Sequence, residues 1–542
     1  MAVLVIAIAC IWPVLVAQCV AQEPQIPLPS VDARLHWEHC GKAGHHALQC
    51  SQLDVPMDHS HKSSVETFTI PLIRMLAHNA SATGDRHILF NPGGPGASGV
   101  RFLRSQAAHL NKLIGEGFHL LSFDPRGVGG SEPPASCYSS QAERADAFTN
   151  NPWHLQFQAG EMYSRAENKA RACRDRMGEY GKYVNTPQTA ADMNSILDAI
   201  GQSQMYYWGV SYGTILGQTY AHMFPDRVSR LVIDGVGDLE NWYSAFNVLE
   251  ESFTDTDQVF TGFAEECFKA REVCPLNAVN GRAFESASHL KTYIVEFLGG
   301  LDEEPVPVYL DSSRYGSITR RSVVSNGIFT ALYRPASWPS LANNLAALVI
   351  GNSTPAYLAY SRPWVLDFLV DDSSIFVMMN DNQKTGARAP LHGTKPILNH
   401  TLSRSEMSYL VSRYQGTGFY DQASWSMPTT HGFRPRYYPD SPRVRTAEPM
   451  LVLSTTWDPV CPLSAAKKAR ASFEGAGLVE QKAYGHSTRS MPSLCTAKYV
   501  RQYFDEGVIP EPGATCNVDI EYFPAPVPPS ATGLSNEDKE LL

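Results

Sequence analysis

Along the first half of the chain, short apolar runs rich in β-branched and aromatic residues alternate with segments whose apolar positions recur three and four apart. Such alternation predicts a mostly parallel sheet with helices on both faces, because each strand is buried on two sides and each helix on one. Strands are expected over residues 68–76, 87–90, 118–123, 205–210 and 231–234, and helices over 100–114, 188–200 and 212–224. After Asp238 the rhythm breaks for roughly two hundred residues rich in aromatics, Pro and Gly. It returns with a buried-strand pattern at 450–454, a helical pattern at 463–473 and a strand pattern at 478–484. The economical account is one sheet interrupted by a large insertion. It divides the chain into a leader (1–21), an N-terminal core part (22–240), an inserted lid (241–446), a C-terminal core part (447–523) and a Pro-rich, disordered tail (524–542).

Length agrees with this division: the chain has 542 residues, whereas a single core stops growing near ~250 to 300. Apolar residues make up 43% and charged residues 18%, and the net charge of -10 is spread without long blocks. A nucleic-acid partner is therefore not expected.

The apolar run from Val3 to Val20, ending Cys19-Val20-Ala21, reads as a secretory signal peptide cleaved after Ala21. No Lys or Arg precedes the run, which keeps an uncleaved anchor as the alternative; with cleavage, no stable membrane partner is expected. Sequons at Asn79, Asn352 and Asn399 are glycosylation candidates in an exported chain. Eight cysteines suit disulfide loops in an oxidising compartment: Cys40 with Cys50, Cys137 with Cys173, Cys267 with Cys274, and Cys495 with Cys516, leaving Cys461 unpaired. A zinc site at Cys40, His45, His46 and Cys50 is the rival reading of the first pair, against which stands a spacing that matches no common zinc pattern.

Gly209-Val210-Ser211-Tyr212-Gly213 fits the nucleophile elbow Gly-x-Ser-x-Gly, between a predicted strand and a predicted helix. A turn this tight needs small residues two before and two after the serine, and it lifts the hydroxyl above the sheet at a helix N-terminus. A serine hydroxyl needs a base to take its proton, and elbow enzymes supply partners in the order Ser, acid, His. Tyr484-Gly485-His486-Ser487 follows the last predicted strand and puts an imidazole at the same sheet edge. For the acid, Asp458 in Trp457-Asp458-Pro459 directly follows the strand at 450–454 and precedes His486 by 28 residues, with Asp234, after the preceding strand, as the competitor. Asn91-Pro92-Gly93-Gly94-Pro95-Gly96 follows the strand at 87–90, where one oxyanion donor is expected; Pro95 has no N–H, so Gly94 is chosen, joined by the amide of Tyr212. The loop Phe123-Asp124-Pro125-Arg126-Gly127-Val128-Gly129-Gly130-Ser131, with its Asp and Arg, reads as a braced turn.

In this order, the segments Asn91-Pro-Gly-Gly-Pro-Gly-Ala-Ser-Gly99, Asp124-Pro-Arg-Gly-Val-Gly-Gly-Ser131, Gly209-Val-Ser-Tyr-Gly213, Trp457-Asp-Pro-Val-Cys-Pro462 and Gly485-His486 resemble the tripeptidyl aminopeptidase-like branch of the α/β-hydrolases, related to the prolyl iminopeptidases. Pro92 stands where the prolyl iminopeptidases have His, which favours the tripeptidyl branch. The resemblance implies an α/β-hydrolase fold, a triad of Ser211, Asp458 and His486, a lid, and release of short pieces from a free N-terminus. It implies no metal and no organic cofactor. Acidic lid residues suited to a substrate ammonium are Glu250, Glu251, Asp371 and Asp372, with nothing to choose among them. The expected activity is a secreted exopeptidase on peptides; the alternatives are an esterase, lactonase or amidase on a small ester or amide, and a non-catalytic secreted binding protein.

Overall fold

The computed structural model describes residues 35–61, 65–78, 86–149, 155–244, 252–361, 371–382, 418–436 and 439–524. The expected leader, the tail beyond Pro524, Asn79, Asn399, Glu250 and Glu251 lie outside the described residues.

Ten strands form one sheet among these residues. They are β1 (Glu38–Ala43), β2 (His46–Pro56), β3 (Thr67–Met75), β4 (His87–Asn91), β5 (His119–Phe123), β6 (Met205–Val210), β7 (Val228–Asp234), β10 (Leu451–Trp457), β11 (Gly477–Tyr484) and β12 (Ala514–Asn517), in spatial order β1-β2-β3-β5-β4-β6-β7-β10-β11-β12. Every pairing from β5 through β12 is parallel, and β1, β2 and β3 add an antiparallel edge. The central strands β4 and β5 are buried at every position. That follows from helices covering both faces, and it is why these strands are continuous apolar runs. Alternation across the pleat sorts neighbours into two cores: Tyr207 and Val452 face one, Trp208 and Leu453 the other.

Sequence patterning missed β1, β2 and β12. β1 and β2 carry polar, half-exposed residues and β12 is four residues long, so none offers the apolar run that marks a buried strand. Disulfides secure these edges: Cys40–Cys50 joins β1 to β2, and Cys495–Cys516 ties β12 to the helix Leu494–Glu506. Cys40 and Cys50 are thus bonded to each other, which excludes them as zinc ligands. Cys137–Cys173 and Cys267–Cys274 are also joined, and Cys461 is free and buried.

The chain leaves the sheet after β7 and returns as β10, which pairs directly with β7. Between them, the helices Thr256–Lys269, Ala287–Glu303 and Trp338–Val349 and the hairpin of β8 (Val306–Asp311) and β9 (Arg314–Ile318) enclose a core around Phe260, Phe263, Leu298 and Trp338. Tyr522 and Phe523, from beyond β12, complete that core. The later helix Ser373–Asp381 behaves differently: its Phe376 and Val377 enter the core of the sheet. No described helix is long and apolar enough to cross a membrane.

Candidate active site

Ser211 stands between β6 and the helix Tyr212–Met223 with φ 58° and ψ -125°. A serine pays for such a backbone in strain, which persists only where the surroundings over-determine it. Here they do. The Ser211 N–H donates to the Asp234 carbonyl at the end of β7 (3.0 Å), and the Ser211 carbonyl accepts from the Thr214 N–H (2.8 Å). A Cβ at Gly209 would lie 2.2 Å from the Gly213 carbonyl oxygen, and one at Gly213 would lie 2.6 Å from that of Asn91, so both positions require glycine.

The loop after β4 lies against this turn. A Cβ on Gly93 would come within 2.8 Å of the Ser211 Cβ and 3.1 Å of the Tyr212 nitrogen. Gly93 has φ 95° and its own N–H donates to the Asn91 side chain at 2.9 Å. Gly93 thus lies against the N-terminal end of the Tyr212–Met223 helix.

His486 follows β11. Its backbone N–H donates to the Tyr333 carbonyl (3.0 Å), and the Tyr333 ring packs edge-on against the imidazole with centroids 5.0 Å apart. Nδ1 lies 3.0 and 2.9 Å from the two carboxylate oxygens of Asp458. Asp458 is fully buried and also accepts from the backbone N–H groups of Val460, Cys461 and Ser487, each at 2.9 Å. Four donors around one carboxylate offset its desolvation. They also pin the imidazole with Nδ1 as the donor. Nε2 is buried without a hydrogen-bond partner among the described residues. The end of β7 links the two halves: Asp234 holds Ser211, and a Cβ on the adjacent Gly235 would lie 3.3 Å from the His486 Cε1.

A family model for the alpha/beta hydrolase fold matches residues 86–283, and one for TAP-like proteins matches residues 410–516. The chain belongs to the α/β-hydrolases. It is a serine hydrolase with a TAP-like C-terminal part. Among its relatives, Serine protease Hip1 of Mycobacterium tuberculosis is 27% identical over 518 residues, covering 93% of this chain and 91% of the relative. The Tripeptidyl aminopeptidase of Streptomyces lividans is 34% identical over 232 residues, covering 39% of this chain and 41% of the relative. Carboxylesterase B of Mycobacterium tuberculosis is 26% identical over 483 residues, covering 86% of each.

In this α/β-hydrolase, Asp234 is occupied elsewhere: its carboxylate accepts from the Thr488 N–H and hydroxyl, each at 2.8 Å. Burial pushes its carboxyl up to about 6. Asp371 and Asp372, considered above for a substrate ammonium, are both buried and structural. Asp371 accepts from the Gly129 and Ser373 N–H groups, and Asp372 pairs with Arg144 at 2.8 Å and accepts from the Cys137 N–H. The Phe123–Ser131 loop is braced through its Asp and Arg. Asp124 accepts from Ser98, Val100 and Gly130, and the fully buried Arg126 grips both oxygens of Asp192.

Three residues near the site escaped the sequence reading. Tyr333, on His486, comes from the insertion, where no pattern marks it. Asp255 is a half-buried carboxyl pushed up to about 6 by burial and by the charge of Asp458. Its neighbour Thr256 donates to the Pro459 carbonyl at 2.6 Å and so anchors the Thr256–Lys269 helix to the loop of Asp458. Cys461 is marked in the sequence only as the unpaired cysteine. Its Sγ, a carboxylate oxygen of Asp458 and a ring nitrogen of His486 all lie within 4.8 Å of one another.

Proposed function

We propose that this protein is an exported serine exopeptidase that removes short pieces from the free N-terminus of peptides, with Ser211 as nucleophile, His486 as general base and Asp458 as the acid that orients it. The observation that carries the reading is the imidazole of His486, held through Nδ1 by both oxygens of Asp458 and left with a buried Nε2 that has no hydrogen-bond partner among the described residues, Ser211 included. That is the tautomer a base requires. His486 takes the Ser211 proton as Oγ attacks the substrate carbonyl, and the amides of Gly94 and Tyr212 bind the oxyanion. His486 then protonates the leaving amine, and water, deprotonated by the same imidazole, releases the acyl group. Each oxyanion donor contributes about 3 to 4 kcal/mol to such a transition state.

The peptidase reading is supported by the similarity to the tripeptidyl aminopeptidase and to the serine protease. Export is supported by four disulfides, which persist in oxidising compartments. Asn352, in its sequon, is exposed and available for a glycan there. The region between β7 and β10 would act as the lid. The similarity to a carboxylesterase favours a second reading, hydrolysis of small esters.

Turnover of chromogenic tripeptides and short-acyl esters by wild type and Ser211→Ala tests both. A tripeptide preference with at least ~1,000-fold loss of kcat in Ser211→Ala is expected. A preference for esters would replace the first reading by the second. Full activity in Ser211→Ala, or no labelling of wild type by a fluorophosphonate, would remove the mechanism.

A further inference from the structure

A buried chain of hydrogen bonds ties the turn at Ser211 to the region inserted between β7 and β10, and the mechanism above makes no use of it. Tyr212 carries one of the two amides assigned to the oxyanion. Its ring is buried, and its hydroxyl lies 2.6 Å from the Thr186 hydroxyl. Thr186 opens the helix Thr186–Ala199, and it meets Asp381 twice. Its N–H donates to Oδ1 at 2.7 Å, and its hydroxyl donates to Oδ2. The Trp242 indole N–H donates to the same Oδ2 at 2.7 Å, and the Trp242 ring lies against that of Tyr212, with centroids 5.3 Å apart.

Asp381 ends the helix Ser373–Asp381 and is fully buried. An ionised carboxylate only accepts hydrogen bonds. The direction of the chain follows: Thr186 gives its hydroxyl proton to Asp381 and so accepts from the Tyr212 hydroxyl. Asp381 therefore grips Tyr212 from two sides, through Thr186 at the hydroxyl and through Trp242 at the ring face.

We infer that Asp381 is a positioning residue for the oxyanion-binding amide of Tyr212, through which the inserted region sets the rate of acyl transfer without touching the substrate. The inference rests on the acyl-transfer reading of Ser211. The physical basis is short range. The Tyr212 N–H is one residue from the nucleophile, and a donor displaced by a fraction of an ångström no longer meets the oxyanion it stabilises. Burial pushes the Asp381 carboxyl up to about 7. Among the described residues, the Tyr212 phenol on the nucleophile helix faces it, and His431, whose imidazole burial pushes down to about 4, meets the backbone of Asn380 and Asp381. The chain is fully engaged above neutrality, where Asp381 is ionised.

The test uses the full chain at mildly alkaline pH, with kcat and KM measured separately on a chromogenic tripeptide and a short-acyl ester. The proteins are wild type, Asp381→Asn, Tyr212→Phe, the double variant and Ser211→Ala, each checked for folding by circular dichroism. Asp381→Asn and Tyr212→Phe should each lower kcat at least about tenfold with KM within about twofold, and the double variant should be no slower than the slower single, as for residues acting as a unit. An unchanged kcat in folded Asp381→Asn, or losses that multiply in the double variant, would overturn the inference. If Asp381→Asn does not fold, Tyr212→Phe decides alone, because it deletes a single oxygen at the end of the chain. Hydrolysis that survives Ser211→Ala overturns the underlying reading instead, whatever the other variants do.

Discussion

Asp234 and Thr488 are joined twice, the carboxylate accepting from both the N–H and the hydroxyl at 2.8 Å, while the Nδ1 of His486 turns to Asp458. Two buried carboxylates near one imidazole are thereby given different work. Asp234 fastens the loop that carries His486, and Asp458 orients the ring.

Their substitutions should separate accordingly. Asp458→Asn is expected to lower kcat about 10⁴-fold, since it favours the wrong imidazole tautomer. Asp234→Asn, which keeps one acceptor for Thr488, should cost less than about tenfold. Steady-state kinetics on one substrate would compare them. Equal losses would mean that the two acids share the role.

Gly93 is confined by the turn it touches. With φ 95° and a Cβ that would stand 2.5 Å from the Val210 carbonyl oxygen and 2.8 Å from the Ser211 Cβ, Gly93→Ala must push the loop and the nucleophile apart. A loss of about 100-fold in kcat is expected, the scale of a misplacement near 1 Å. Gly160, which has open space around its Cβ position, serves as the control for alanine substitution.

Cys461 is a poor nucleophile despite its place beside His486. Burial first, then the negative charges of Asp458 and Asp234, raise its thiol well above the ordinary value. The thiolate is the reactive form. Iodoacetamide should therefore leave Cys461 unmodified in the native protein and alkylate it in denaturant, as read by peptide mass spectrometry. Rapid native labelling would show that the thiol is accessible and ionised.

Stability should depend on pH through Asp381. Burial raises its folded pKa from the usual 3.8 to about 7, so the folded chain holds that proton more tightly than the unfolded chain does. Its contribution is fully present below the unfolded pKa and is lost as pH rises through the folded one. Asp234, raised to about 6, acts with the same sign over a lower window. The melting temperature of Asp381→Asn should accordingly fall less than that of wild type between about pH 4 and pH 7. Parallel curves would mean that Asp381 is ionised throughout.

Much of this architecture is legible in one sequence. The continuous apolar runs of β4, β5, β6 and β10 mark strands covered on both faces, and the glycines at 209 and 213 mark a turn too tight for a side chain. The short cysteine separations anticipate the bonds at Cys40–Cys50 and Cys267–Cys274. Edge strands β1, β2 and β12 are not legible, because exposed pleats carry no distinctive pattern. Asp371 and Asp372 mislead, since an acidic pair reads as solvated or ligand-facing until Arg144 and the backbone amides are seen to enclose it.

Local chemistry, then, determined what the sequence could determine by itself: which segments are strands, where the chain must turn on glycine, and which side chains could trade a proton. Long-range contact decided the rest. Asp234 and Asp458 are equivalent as letters, and only the packing of β7, β10 and β11 gives Thr488 to one and His486 to the other. Likewise Tyr333, Trp242 and Asp381 reach the site from segments whose pattern promises nothing. Burial and hydrogen-bond direction depend on which surfaces meet, and the order of residues along a chain does not contain that information locally.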